Sequence, residues 1–526
     1  MSTMEFFFSS AVTTLIEKLN LSDVAFSLFC LFVFSSLVQK LTSKGPMLWP
    51  LVGIFPTMIM HCTCLHEWIT KALIDHRGTV PFRGLCVGGI CGIVTADPVK
   101  IEYMLKSKFH NFPKGRYYRE RFTELLGQGI FNADDQSWKH QRQAAATVMH
   151  SVRFVEYSTQ SMQDLVHKKL LKVLENLVES KVCIDLQELL LRFTFDNICV
   201  AAFGVDPGCL SIGLPDVPFA KAFEEATEST LCRFIVPPFV WKTLKFFDLG
   251  FERRLKNSVK VVHDFADKTV QERKEELAQD QDINLDEKFD LLSRLINLEK
   301  GNKNGYFSDK LLEDFCISFI LAGRDTSSVG LAWFFWLVST HPHVEKNILQ
   351  EIHDILSPRQ QNIQTELNSN IIFTTDELHK MVYLQAALSE SLRLYPPVPF
   401  DFKEVLEDDV FPDGTRVKRG EKVLYSIFSM ARMESVWGTD CREFKPERWI
   451  KEGAFVSENP FKYAVFNGGP RLCVGKKFAY TQMKMVTASI LARYSIQVVE
   501  GFEVAPKTTT TLYMKNGLMV KLVPRN

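Results

Sequence analysis

The feature that most constrains this chain is a long apolar run with two charges at its middle. Ser308 is a good helix N-cap, acidic Asp309 follows in the first turn, and the helical pattern continues to Thr340, stopped by Pro342. A helix of about 33 residues is roughly 50 Å long, enough to cross a whole domain. Its centre, 316–338, is apolar enough to resemble a membrane span. Arg324 and Asp325 sit near the middle of that span, where charge costs several kcal/mol in lipid. The segment therefore reads as a buried helix crossing a functional cavity.

The surrounding pattern is overwhelmingly helical from Pro98 to about Leu356, with period 3.6. Charged stretches at 272–290 and 299–305 read as a solvated helix and loop. Residues 81–95 alternate apolar residues with glycines, which predicts a short β-hairpin turning at Gly88-Gly89. The glycine spacing there is wrong for a dinucleotide fingerprint, and no helix opens directly on it. After Leu394 the run Tyr395-Pro396-Pro397-Val398-Pro399 must be extended, and two short strands flank Pro412-Asp413-Gly414-Thr415, a hairpin turn signal. The fold class is mainly α with minor β, without internal repeats.

Composition excludes some functions. Sixty-two basic residues balance 62 acidic ones, whereas a protein devoted to phosphate backbones usually carries a basic excess. Nucleic acid is not an expected partner. The 42 phenylalanines have no polar tip and suit either a large core or an apolar cofactor and substrate. Twelve scattered cysteines in so long a chain read as reduced cytosolic thiols. The cluster His61-Cys62-Thr63-Cys64-Leu65-His66 fits no zinc spacing and has no second half downstream, so it reads as an ordinary amphipathic helix.

Residues 24–38 carry no charge and make about 22 Å of helix; extension to Leu41, with Lys40 snorkelling, gives about 27 Å, close to the hydrocarbon thickness. No small-residue cleavage site follows, which argues against a signal peptide. Pro46, Pro50 and Pro56 give a stiff exit instead. Glu5, Glu17, Lys18 and Asp23 before the span are net negative and Lys40 and Lys44 after it are positive, which puts the bulk of the chain on the cytosolic side. The expected organisation is a single-pass anchor segment over 1–44 and one large domain over 45–526.

The densest motif is Phe466-Asn467-Gly468-Gly469-Pro470-Arg471-Leu472-Cys473-Val474-Gly475, followed by a long helical pattern from Lys476. Gly469 and Gly475 allow a sharp turn and a close approach to a flat ligand. A cysteine entering a helix has backbone N–H groups aimed at its sulfur, and these favour the thiolate. Arg471 can meet an anionic group of the ligand. Elsewhere, Trp138 and Arg142 lie four apart on one helix face and could hold paired carboxylates. Glu390 and Arg393 lie at i and i+3, and Arg448 falls in Pro446-Glu447-Arg448-Trp449.

The pattern F-x-x-G-x-R-x-C-x-G resembles the haem-binding loop of the cytochrome P-450 superfamily, and every fixed position of it is present. The resemblance covers nearly the whole chain and implies the P-450 fold: a helical bundle with a long central helix and small β-sheets. It also implies haem b with the Cys473 thiolate as axial ligand, cradled by Phe466, Gly469, Arg471 and Gly475, with its propionates on Trp138 and Arg142. Glu390, Arg393 and Arg448 become a buried structural network, tolerable only when its members satisfy one another. Ala322 and Gly323 are assigned to the oxygen groove. Thr326 can bond its i−4 carbonyl, and the Asp325–Thr326 pair is assigned to proton delivery, which favours a true monooxygenase.

Leu331 to Leu337, Tyr395 to Pro399 and Phe466 to Met485 look like plant fatty-acid omega-hydroxylases. That resemblance implies insertion of one oxygen atom of O2 into a fatty acid, at the terminal carbon. The alternatives are a haem-thiolate hydroxylase of another apolar molecule (an alkane, terpene or sterol) and a non-catalytic haem-binding membrane protein. Pocket candidates by position are Phe109, Phe112, Phe319, Leu321, Val398, Phe400, Leu512 and Tyr513, with Ala322 beside them. No flavin or nicotinamide module fits in the chain, so the resemblance implies electrons from NADPH through NADPH–cytochrome reductase on the same membrane, that of the endoplasmic reticulum. Lys476 and Lys477 would suit an acidic flavoprotein, or are simply solvated.

Overall fold

The computed structural model describes residues 21–42, 46–84, 90–279, 289–300, 307–360, 371–507 and 509–525. The long apolar segment is the axis of the molecule. The Ser308 hydroxyl accepts the Leu311 N–H at 3.3 Å, and the helix runs from Asp309–Ile320 through a π-helical turn, Leu321–Asp325, into Thr326–Thr340. Every residue from Ser327 to Phe335 is buried. Helices Leu186–Phe203, Val382–Leu394 and Lys476–Leu491 cover it. The Trp333 indole donates to the Leu512 carbonyl at 2.6 Å and stacks on Tyr395 at 4.0 Å. The expectation of a buried crossing helix holds, and its two charges are reconciled by pairing with each other.

The sheets are small. β1 (Thr79–Arg83), β2 (Cys91–Thr95), β3 (Phe400–Glu404) and β4 (Lys422–Ser426) form one sheet in the order β1-β2-β4-β3. β1 and β2 are the expected hairpin, in register from Thr79 opposite Thr95 to Arg83 opposite Cys91; its turn, with Gly88-Gly89, lies outside the described residues. Asp409–Val410 and Arg416–Val417 pair around the Pro412 to Thr415 turn, where Asp413 Oδ1 accepts the Thr415 N–H at 3.1 Å. Helix Gly250–Gln279 carries the first part of the charged stretch at 272–290; most of the rest of that stretch, and the core of the one at 299–305, lie outside the described residues.

Near the amino end, helix Leu21–Thr42 is long and apolar enough to cross a membrane. Phe32 on this helix stacks on Trp49 at 5.7 Å, beyond its end. The reading of residues 61–66 as one amphipathic helix needs correction. Helix Phe55–Met60 ends there, a turn follows, and a second helix occupies Leu65–Asp75. His66 leaves the cluster altogether: it is buried between Phe400 and Phe428, at ring distances of 5.3 and 5.2 Å. Neither ring nitrogen has a hydrogen-bond partner. Burial, helped by Arg432, lowers its pKa to about 4.

The carboxyl-terminal half is locked by Glu390, a carboxylate with no solvent exposure. Its two oxygens accept from Arg393 Nη2 and Nε, each at 2.8 Å, from Arg448 Nε at 3.3 Å and from the Trp449 indole at 2.9 Å. The Lys445 N–H adds a contact at 3.3 Å. Arg393 then donates to the carbonyls of Ala431, Cys441 and Glu443. The expected triad is therefore assembled and saturated, which is the condition for burying it.

Two outcomes follow. Glu390→Ala strands two guanidiniums and is expected to cost about 3–5 kcal/mol, read as loss of folded protein on urea unfolding in detergent. His66 is favoured neutral in the fold, so its stabilisation is present above about pH 6.5 and is lost as pH falls toward 4, by roughly 3 kcal/mol at the acid end. His66→Phe is expected to remove that loss, so the stability difference between variant and wild type grows by this amount from pH 7 to 4.

Candidate functional site

The Cys473 loop is shaped by its backbone. Ala464–Phe466 and Gly469–Arg471 are single 3-10 turns, joined by Asn467 and Gly469 at φ of 61° and 60°. The Cys473 N–H closes the loop on the Phe466 carbonyl at 2.8 Å. A Cβ at Gly469 would fall 2.0 Å from the Leu105 carbonyl oxygen. That glycine is required by packing against the 103–107 turn; it does not line the cavity, contrary to the expectation of a ligand approach. Gly475, which does line it, has φ of −89° and room for a Cβ. Its place is at the N-cap of helix Lys476–Leu491.

Cys473 opens onto an internal cavity of about 670 Å³, also lined by Trp138, Arg142, Ala322, Gly323, Thr326, Phe466 and Arg471. The sulfur is accessible, but the space it faces is this cavity and not bulk solvent. Burial raises the thiol pKa, opposed by the Gly475 N–H, Arg142 and Lys476. The expected donors are thus in place, and without a further positive charge they do not outweigh desolvation. Trp138 is flanked by two guanidiniums, Arg471 at 4.5 Å and Arg142 at 6.0 Å from its ring.

A network missed by the sequence reading ties this loop to β3. Asp401 Oδ1 accepts from Lys114 Nζ at 2.5 Å, and its Oδ2 from the Tyr425 hydroxyl at 2.6 Å and Asn467 Nδ2 at 3.2 Å. Burial alone would raise the Asp401 pKa, but Lys114 and Lys403 outweigh it and hold the carboxyl below its usual range. Arg471 Nη2 pairs with Asp134 at 2.7 Å, while Arg471 Nε is buried without a partner. The only hint in the sequence was Asp401 and Lys403 alternating with Phe400 and Phe402, which puts two charges on one face of a strand.

On the opposite wall, the Thr326 hydroxyl donates to the Ala322 carbonyl at 2.6 Å, the expected i−4 bond. It sits where the π-turn ends and interrupts the regular helical ladder. Asp325 is not beside it. Its carboxylate pairs with Arg324 at 2.7 Å, with Tyr513 facing it, and does not line the cavity. Burial raises its pKa against the pull of Arg324. Adjacent helical residues point about 100° apart, so an acid next to an alcohol in sequence is not next to it in space.

Of the pocket candidates, Phe319, Leu321, Val398 and Phe400 line the cavity. The other four do not line it: Phe112, Leu512 and Tyr513 are core, and Phe109 is a partly buried ring packed against the core. Phe109 packs on Trp138 at 5.5 Å, and Phe112 on Phe411 at 5.8 Å. Leu512 is tied to Pro397 and Trp333 through its backbone, and Tyr513 turns toward Asp325. Their neighbours Thr509, Thr510 and Thr511 form the wall instead, together with Tyr117, Phe234 and Phe402.

The cytochrome P450 family model matches residues 44–522. The chain belongs to the cytochrome P450 family. It is similar to cytochrome P450 86B1 of Arabidopsis thaliana, 48% identical over 514 residues, which cover 97% of this chain and 91% of that protein. It is 40% identical to cytochrome P450 94A2 of Vicia sativa over 450 residues, 82% of each chain. Noroxomaritidine synthase 1 of Narcissus pseudonarcissus is 34% identical over 523 residues, 98% of this chain and 99% of that protein.

The protein is a haem P450 monooxygenase, and the site fits the group: a thiol opening into the cavity, an unpaired Arg471 Nε, and the Trp138 and Arg142 pair at the edge. Cys473→Ser is expected to abolish the red-shifted Soret band of the reduced carbon monoxide complex. Trp138→Phe is expected to keep that band and release haem faster to apomyoglobin. A serine variant with an unchanged band would remove Cys473 from the iron.

Proposed function

We propose that this P450 hydroxylates fatty acids at the terminal carbon. The observation that carries the reading is the cavity itself, whose outer section is apolar and aromatic and leads inward to Cys473 on one side and Thr326 on the other. The resemblance of residues 331–337, 395–399 and 466–485 to plant fatty-acid omega-hydroxylases supports the same reading.

Haem bound at Cys473 supplies the activation of O2. The protein's own residues do the rest. Phe319, Leu321, Val398 and Phe400 surround a hydrocarbon chain and exclude water. The terminal C–H bonds are the strongest in the chain, so selectivity for them has to come from shape and orientation. Thr326, bonded to the Ala322 carbonyl, holds a hydroxyl proton at the cavity wall. Asp325, turned into its pair with Arg324, reaches that wall only by changing rotamer or through water.

In this reading electrons come from NADPH through a separate NADPH–cytochrome reductase, as the family resemblance implies. Helix Leu21–Thr42 is the anchor in this reading, and it holds the enzyme on the endoplasmic reticulum membrane with the large domain in the cytosol. Lys477 is exposed beside the Cys473 loop and suits an acidic flavoprotein.

The test is product analysis with reductase, NADPH and saturated fatty acids of graded length. The expected product is the terminal alcohol at one preferred range of lengths. Mid-chain alcohols as the main products, or no turnover of any fatty acid, would exclude the reading.

A further inference from the structure

The charged groups of the cavity are segregated. Among its described lining residues the charged side chains are Lys114, Arg142, Asp401 and Arg471, together with the Cys473 thiol. All of them belong to the end where the Cys473 loop lies, and most are already engaged. Lys114 is held by Asp401 and sits 4.5 Å over the Tyr118 ring. Arg471 is held by Asp134, and Arg142 lies on the Trp138 helix facing Cys473.

Hydroxyls are spread along the lining, with Thr227, Thr509 and Thr510 among them, and three lie at the reacting end. Thr326 and Ser327 belong to the central helix, and Thr511 is pinned near it because the next residue, Leu512, bonds both Pro397 and Trp333. Thr511 is 3% exposed and its Oγ1 has no partner. The far section is different. It is lined by Phe55, Met58, Trp68, Phe82, Pro237 and Pro238. Next to these residues in the chain, Ile59, Met60 and Phe239 are exposed and apolar, which puts the mouth of the cavity on this side.

An acyl chain with its methyl end beside Thr326 runs along that far section and leaves its head group at or beyond the mouth, in water. A carboxylate taken from water into such surroundings without a partner is strongly disfavoured. Hydrocarbon contacts there carry no such penalty, and each buried methylene adds to the hydrophobic gain. Selection in the far section therefore acts on the chain and not on its charge.

We propose that the enzyme recognises its substrate as hydrocarbon alone and takes neutral, esterified acyl chains on a par with free acids. This rests on the terminal-hydroxylation reading above. The carboxyl end needs no cationic partner, because it sits at or beyond the apolar mouth.

The test compares the fatty acid of preferred length from the product analysis above with its methyl ester, using the full-length holoenzyme with reductase and NADPH in phosphatidylcholine vesicles. The expected result is terminal hydroxylation of both, with kcat/KM values within about threefold of each other. A preference for the acid of about tenfold or more, or a shift of the ester product to mid-chain, would overturn the inference and leave terminal hydroxylation standing. Terminal oxidation of neither compound overturns the reading beneath it, and this inference with it.

Discussion

Everything at the iron-facing end of this molecule depends on one carboxylate. Glu390 has no access to water, and it is stable there because two guanidiniums, an indole and a backbone N–H all converge on it. The same turn of helix reaches further. The Ser389 carbonyl accepts from the Tyr463 hydroxyl at 3.2 Å, and Ser389 Oγ meets the Tyr480 hydroxyl at 3.0 Å. Tyr480 packs on Phe466, the first residue of the Cys473 loop. Helix Val382–Leu394, the 431–449 segment and the loop are thus fixed to one another around Glu390 and its neighbour Ser389.

A second centre, Asp401, does the same from the sheet side. It gathers Lys114, Tyr425 and Asn467 and reaches the loop one residue after Phe466. The cavity lies between these anchors and the central helix. Its inner wall is polar because charged groups fasten the loop there, and its outer wall is apolar because nothing there needs fastening. The division that orients a hydrocarbon is a by-product of how the loop is held.

The sequence made the anchoring legible where residue identity and spacing decide it. Cys473, Glu390, Arg393 and Arg448 stand in patterns shared with the cytochrome P-450 superfamily, and it was that resemblance that joined the last three, which meet in the fold. The crossing helix was legible from length, cap and stop, and the 409–417 hairpin from its turn. Direction was not legible. Phe109 and Phe112 look alike as phenylalanines near the Trp138 helix, and whether an aromatic ring faces a cavity or the core depends on neighbours distant in sequence, such as Phe411. Asp325 was placed by adjacency, which on a helix separates side chains. Asp401 was overlooked because a buried strand carboxylate is recognisable only once its partners, up to 287 residues away, are known.

Gly323 has a neighbour that changes its meaning. An added Cβ would meet the Ile198 side chain at 2.5 Å, from the helix Leu186–Phe203. The bareness of the groove at this point is therefore a shared property of two helices, one contributing an absence and the other a branched side chain that occupies it. Positions 198 and 323 form a compensating couple: a smaller residue at one is what would license a methyl group at the other. The width of the cavity at this point can then be retuned by paired exchange, with the helix axes left where they are.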